Sequence, residues 1–370
     1  SSLINYGENH PYGELTTEET LNNITIEDAK SLYNTYFKPN ISYLIIVGDM
    51  TKKEAKKITK KYFKNWEKGD VPNIYLNNYN KPKSTQVHFI HKEGAAQSVI
   101  KVTYPLDLKP NDKDIITSKV MNSILGGSFS GRLNLNLRED KGFTYGARSS
   151  TYSDKFIGEF SASASVRNEV TDSAITEFLY ELNQIKIDLV KNEEIELSKN
   201  YMTGTFALSL EDPKMTARLA LNTKINNLDE DYYKNYLKNL KNVSREDVLN
   251  TANKYIDPEN CNIVIVGDKE IASSLKRFDS DGKITFYNTE GGILTTKPIP
   301  EGIDINYVLE TSINAIGGLD KMNATKNLSL KYEAEIEGTP MKLDMEISYK
   351  QPNLFYMSMN AGNFGEIMGM

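Results

Sequence analysis

The sequence predicts an α+β fold. A central domain of antiparallel-rich sheet packed with helices is preceded by the remnant of a homologous domain and followed by a partial antiparallel β module. Three observations carry this reading. First, residues 25–49, TIEDAKSLYNTYFKPNISYLIIVGD, align without a gap with residues 244–268, SREDVLNTANKYIDPENCNIVIVGD. Glu-Asp, a Tyr, a Pro and the closing Ile-Val-Gly-Asp recur in register, so Asp49 answers to Asp268. A repeat this long, ordered helix, proline, strand, marks two similar α+β units. Second, short apolar strand pairs and long helical stretches fill the sequence between the two copies. Third, beyond Asp304 the texture changes to runs that alternate polar and apolar.

Taken in order, residues 1–24 are turn-rich, with Asn9-His10-Pro11-Tyr12-Gly13 the densest cluster. Thr25 caps a helix with early acids Glu27 and Asp28, which stops before Pro39. Tyr43-Leu44-Ile45-Ile46-Val47 predicts a buried strand and Gly48-Asp49 its turn, and Thr51 caps a helix to about Trp66. Residues 68–84, with Pro72 and Pro82, read as a linker. Strands follow at 85–92 and 98–104, joined by Glu93-Gly94-Ala95-Ala96, then a helix at 112–125. Residues 145–151 and 156–166 form an antiparallel pair around Ser153-Asp154. Helices are predicted at 170–187, 191–209, 213–226 and 231–241. Residues 291–300 form a second linker. Beyond it come a helix over 305–316 ending at Gly317-Gly318 and strands at 328–335, 341–349 and 354–359, with turns at Gly338-Thr339-Pro340 and Gln351-Pro352-Asn353. The expected domains are 1–80 (remnant), 85–285 (complete unit), 286–303 (linker) and 304–370 (β module).

The repeat has a consequence. In the second unit the repeated piece comes last, after the strands and helices of 85–243. In the first it follows only residues 1–24, so the first unit is expected to be missing its beginning. The abrupt ends, Ser1-Ser2 and Met368-Gly369-Met370, read the same way, as those of a fragment or processed piece. Three strands and a helix are also a thin core for the last module, and its unpaired sheet edge suggests a possible homodimer.

Hydrophobic content of 39% with 25% charge is that of a globular chain. A formal charge of −6 gives no basic footprint and argues against nucleic acid as partner. The single cysteine, Cys261, excludes an internal disulfide framework and a cysteine-based zinc site. No apolar run approaches membrane-spanning length, so no membrane span is expected.

The chemistry concentrates in residues 125–147, LGGSFSGRLNLNLREDKGFTYGA. Leu133 and Leu137 share a helix face, Gly142 suits a C-terminal cap, and Phe143-Thr144-Tyr145 restarts an extended run. Arg138 and Tyr145 flank the turn, where a guanidinium and a phenol can donate to one carbonyl or oxyanion. On spacing alone an ordinary helix–turn–strand with a surface arginine is the better fit. Gly126-Gly127 and Gly131 suit close helix approach better than phosphate binding, since no Gly-Lys-Ser/Thr follows. Ser128 and Ser130 lack a nearby histidine base, and Glu139 and Asp140 are default surface charges. Of the three histidines, His88 and His91 lie on a predicted strand and would face opposite sides, and His10 before Pro11 reads as a turn residue. No H-E-x-x-H or H-x-x-E-H occurs.

The run from Leu125 through Gly146, with Leu137-Arg138, mixed charges, Gly142 and Tyr145, resembles the C-terminal domain of the insulinase/pitrilysin zinc metallopeptidases, which include relatives of mitochondrial processing peptidase. His10-Pro11-Tyr12-Gly13, the helix before Pro39 and Val47-Gly48-Asp49 resemble the end of that family's first domain; residues 85 to about 270 resemble its second. The resemblance implies an insulinase-like α+β fold and two homologous domains closing around a peptide. Zn2+ is then expected for the complete enzyme, held by an inverted His-x-x-Glu-His motif that this chain lacks. It implies catalytic roles for Arg138 and Tyr145 in holding the peptide and stabilising the oxyanion, with a peptide substrate and a zinc-bearing N-terminal domain or partner subunit as partners. The chain alone is then expected to be inactive. The alternatives are a non-catalytic partner subunit and a peptide-binding or assembly protein. Residues 304–370, through Ala315-Ile316-Gly317-Gly318, the strand pattern and Gln351-Pro352, resemble the start of a lipoprotein-carrier half-barrel, which implies a bacterial periplasm or cell-envelope location.

Overall fold

The computed structural model describes residues 1–74, 76, 79, 81–294, 302–335, 342–360 and 366–369. It divides the chain into two compact units, 1–295 and 296–370. The predicted turn at 338–340 and much of the predicted linker (295–301) lie outside the described residues, as do residues 75, 77, 78 and 80 of the earlier one.

In the first unit the elements run α1 (Ser2–Tyr6), α2 (Glu18–Asn22), α3 (Ile26–Tyr36), α4 (Lys52–Phe63), β1 (Gln86–His91), β2 (Gln97–Leu106), α5 (Ile115–Asn122), α6 (Arg132–Asn134), β3 (Thr144–Tyr152), β4 (Gly158–Arg167), α7 (Thr171–Ile187), α8 (Asn192–Ser209), α9 (Pro213–Ile225), α10 (Tyr232–Asn242), α11 (Arg245–Tyr255), β5 (Asn262–Gly267), α12 (Ala272–Leu275) and β6 (Ile284–Tyr287). The strands form one sheet in the order β3-β4-β2-β5-β1-β6. It is antiparallel from β3 to β5 and parallel where β1 meets β5 and β6.

The period of two along each strand decides which face is apolar. Val102 and Tyr104 of β2, Phe160 and Ala162 of β4, Ile263 and Ile265 of β5 and Val87 and Phe89 of β1 are fully buried. With Phe178 and Leu182 of α7 and Val248 and Ala252 of α11 they make one core. Tyr104 stacks on Phe160 with ring centroids 5.0 Å apart. Its hydroxyl donates to the Tyr255 carbonyl at 3.0 Å and accepts from the Asp257 amide at 2.9 Å, so the buried phenol is satisfied. The alternate residues form a polar face beneath α1. There Asn5 donates to Thr103 (2.9 Å) and accepts from Asn262 (3.0 Å).

The two copies of the repeat share their helices but not their strands. Thr25 and Ser244 both close reciprocal caps with Asp28 and Asp247. In the second copy the helix buries Val248 and Ala252, and β5 sits at the centre of the sheet. In the first, the predicted buried strand at 43–47 is not formed: these residues are non-strand, and Tyr43 and Leu44 are more than half exposed. A strand is stabilised by its ladder. The neighbours of β5, β1 and β2, precede it in sequence, and no described segment ahead of Thr25 supplies their equivalents.

In the second unit, α13 (Ile305–Ala315) and α14 (Gly318–Ala324) precede an antiparallel sheet, β10-β9-β8-β7, of β7 (Asn327–Glu335), β8 (Lys342–Lys350), β9 (Leu354–Asn360) and β10 (Glu366–Gly369). The fourth strand is absent from the sequence-based reading. Ile367 and Met368 between Gly365 and Gly369 are too short an apolar run to announce it.

Candidate functional site

Residues 123–147 pack tightly for a reason visible in their glycines. A Cβ on Gly126 would lie 2.7 Å from the Ser149 amide nitrogen and 2.9 Å from a Leu133 methyl; one on Gly131 would lie 2.9 Å from the Gly126 Cα. The glycines therefore allow close approach of backbone to backbone. Gly126→Ala is expected to cost about 1–3 kcal/mol of stability through overpacking, measurable as a shift of the denaturation midpoint.

The predicted helices are interrupted. The end of the helix at 112–125 widens into a π turn, Ser123–Gly127, and the helix before the turn consists of α6 followed by a π segment, Leu135–Asp140. Leu133, Asn134, Asn136 and Leu137 are all buried. Two of these four are asparagines, each of which needs partners. Asn134 donates to the Phe129 carbonyl (2.8 Å) and accepts from the Ala147 amide (3.3 Å), tying loop and strand to the helix. Asn136 donates to Glu177 (2.9 Å) and Glu181 (2.8 Å) on α7, while its Oδ1 is buried without a protein partner. Burial pushes the Glu181 carboxyl up, and its bond from Asn136 only partly opposes this. The Lys141 amide reaches the Asn136 carbonyl at 3.0 Å, and Gly142 ends the turn at φ +61°. Its role as cap matches the sequence. π turns of this kind recur at functional sites.

Arg138 sits on the π segment, its guanidinium 4.6 Å above the Phe129 ring, with Glu139 at 3.5 Å. Tyr145 projects from a β-bulge between Thr144 and Ala147. The Thr144 hydroxyl accepts from the Gly146 amide (3.1 Å) and donates to its carbonyl (3.0 Å). A bulge adds a residue and re-aims its side chain, and Tyr145 is 92% exposed. Beside Tyr145 lies an open cavity of about 270 Å³, lined by Gly126, Gly127, Ser128 and Phe129, by Arg148 of β3 and by Tyr201 of α8. The phenol borders it directly; Arg138 is not among its lining residues and stacks on Phe129, which is. Such a groove can take an extended chain and offer donors to a carbonyl. Phe129, Asn134, Asn136 and Tyr201 are missed by the sequence reading. The paired asparagines at buried positions of an amphipathic segment were the available signal, whereas Tyr201 comes from a distant helix with no local cue.

The other candidates lie apart. His88 is buried between Tyr287 and Asn262, each 3.2 Å from a ring nitrogen, and burial holds its pKa below the usual value. His91, on the opposite side of β1, accepts from the Lys269 amide at 3.1 Å. His10 stacks on Tyr6 and accepts from the Tyr12 amide. Cys261 is buried, which pushes its thiol up to about 12. Among the described residues no three His, Cys, Asp or Glu side chains converge as metal ligands, and no helix is long and apolar enough to cross a membrane. The donor set does not fit a zinc ion.

Comparison with known proteins places this geometry in context. A family profile described as "Peptidase M16 inactive domain" matches residues 23–202. An uncharacterised zinc protease of Bacillus subtilis, YmxG, is 29% identical over 216 residues, covering 57% of this chain and 50% of the relative. A probable inactive metalloprotease of the same organism, YmfF, is 23% identical over 264 residues, covering 66% and 56%. The crystal structure of a peptidase M16 inactive domain from Pseudomonas fluorescens superposes with a TM-score of 0.66 at 20% identity, covering 72% of this chain and 64% of that one. The chain spans about half the length of the curated relatives it matches.

Proposed function

Because the chain belongs to the M16, or insulinase/pitrilysin, peptidase family, we propose that it is the substrate-binding, transition-state-assisting portion of a zinc-dependent endopeptidase. The observation that carries this is that Tyr145 borders the open groove while Arg138 stacks on Phe129 of its wall, each on a locally irregular backbone. The groove takes a peptide in extended form. As the scissile carbonyl turns tetrahedral, negative charge develops on its oxygen, and the Arg138 guanidinium and Tyr145 hydroxyl donate hydrogen bonds to it. Phe129, 4.6 Å from the guanidinium, holds it by a cation–π contact.

Zn2+ belongs to the complete enzyme in this reading and is bound by a region outside these residues or by a partner subunit, since the donors here do not assemble a site. This chain incubated with zinc and an unstructured peptide is expected to give no cleavage. The complete protein, or this chain with its zinc-bearing partner, is expected to cleave and to lose that activity to a chelator. Chelator-sensitive hydrolysis by this chain alone would overturn the reading.

A second reading, a non-catalytic subunit that presents peptides, is favoured by the naming of one relative as an inactive metalloprotease. An H-x-x-E-H motif in the whole coding sequence decides for the first reading; its absence decides for the second.

A further inference from the structure

A second cavity opens beside the first. It measures about 340 Å³ and is walled by Tyr201 and Phe206 of α8, Met215 and Leu219 of α9, Tyr236 of α10 and Lys119 of α5. Tyr201 also walls the groove beside Tyr145, so the two cavities adjoin at one side chain. The walls are thioether, aliphatic and aromatic, with Phe206 and Tyr236 in ring contact at 4.6 Å. The one charged group is Lys119. Its amine has no ion pair or hydrogen bond among the described residues, and desolvation holds its pKa below the usual lysine range. Lys119 is itself an exposed residue. An unpaired cation beside apolar walls is stabilised by a carboxylate brought to it, by the modest amount of an ion pair that water also reaches.

We infer that this cavity is a specificity pocket for the peptide: it takes a large apolar or aromatic side chain whose neighbouring carboxylate pairs with Lys119. The inference rests on the reading of Arg138 and Tyr145 as a peptide clamp, because the cavities adjoin at Tyr201 and a chain held in the first passes the second. The volume is at the small end of ligand cavities, which suits one or two side chains and not a folded partner. The walls supply the apolar contact and Lys119 the sign of charge. An acidic residue, or a terminal carboxylate, beside the bulky one is therefore preferred to a neutral or basic one.

The test uses the 370-residue chain and fluorescent unstructured peptides that differ at one dipeptide, Phe-Glu, Phe-Gln or Ala-Glu, with binding read by anisotropy. Wild type is expected to bind Phe-Glu about threefold more tightly than Phe-Gln, the worth of one solvent-accessible ion pair. Lys119→Met should abolish that preference and leave Phe-Gln binding unchanged. Met215→Trp, which fills the pocket from a half-exposed position, should abolish the preference for Phe over Ala. A peptide with p-benzoyl-phenylalanine in place of Phe should cross-link to Met202 or Met215. Arg138→Ala should weaken all three peptides alike. If all three respond to Arg138→Ala while Phe-Glu and Phe-Gln bind equally and the cross-link falls elsewhere, the pocket is wrong and the clamp stands. If the Lys119-dependent preference persists with no response to Arg138→Ala, the clamp is wrong and the pocket stands. Absence of peptide binding overturns both.

Discussion

In the complete enzyme, Arg138→Ala and Tyr145→Phe are each expected to lower kcat by about 10²–10³, with a smaller effect on KM. The magnitude is that of losing one preorganised donor to a developing oxyanion, a contact stronger in the transition state than in the ground state. The double variant should fall short of the product of the two, because both donors serve one oxygen. Neither change should move the melting temperature. Tyr145 is 92% exposed, and Arg138 makes one long ion pair and one ring contact at the surface. That separation of activity from stability distinguishes a catalytic role from a structural one. Arg138→Lys is expected to recover only part of the rate, since an ammonium keeps the charge but loses the planar fork and the stacking on Phe129. Full activity in the double variant would remove both residues from the mechanism and leave an assembly or presentation role.

How much of this was legible before the structure depends on the range of the forces involved. Local signals read well. The caps at Thr25 and Thr51, the hairpin that pairs β3 with β4, and Gly142 at the end of its turn all follow from interactions within a few residues. The alternation that sends His88 and His91 to opposite sides of β1 is equally local. Tyr43–Val47 shows the limit. Its composition is that of β5, but strand formation is a property of neighbours, and the apolar run lies exposed where no ladder receives it. Arg138 and Tyr145 stand out in the sequence by type and spacing; the structure places Tyr145 at the groove and Arg138 on Phe129 of its wall, on a bulge and a π turn. Those irregularities arise from buried asparagines bonding to α7 and to the strand, which no periodicity encodes. Phe129 and Tyr201 complete the walls from segments whose proximity is set by tertiary packing alone.

The second large effect concerns the support of those walls. Arg132 opens α6 and meets Glu194 in a two-pronged pair, Nε to Oε1 at 2.7 Å and Nη2 to Oε2 at 2.9 Å. Glu194 Oε2 also accepts from the Lys191 amide at 2.7 Å, so the same carboxylate holds the start of α8, the helix that carries Tyr201. Both side chains are largely buried. Burial works against the charge on Glu194, but the bonds from Arg132 and the Lys191 amide prevail and hold its carboxyl below the usual range. Arg132→Met leaves that carboxylate in place without its partner and is expected to cost about 2–3 kcal/mol, somewhat less than the ~3–5 of a fully buried pair because part of the charge still meets solvent. The double variant Arg132→Met with Glu194→Leu should recover most of the loss, since two apolar groups leave no uncompensated charge. Acidity gives the sign. A carboxyl whose pKa is lowered on folding contributes its stability above its unfolded value, about 4.3, and loses it as pH falls through the lower folded value. The gap between wild type and Arg132→Met, measured by chemical denaturation across pH, should therefore be full near neutrality and close below about pH 4. If α8 is held by this pair, Arg132→Met should also weaken peptide binding at the cavities walled by Tyr201 while Arg138 and Tyr145 remain in place. A double variant as unstable as the single one, with peptide binding unchanged in both, would show instead that apolar packing positions α8 and that the pair is incidental.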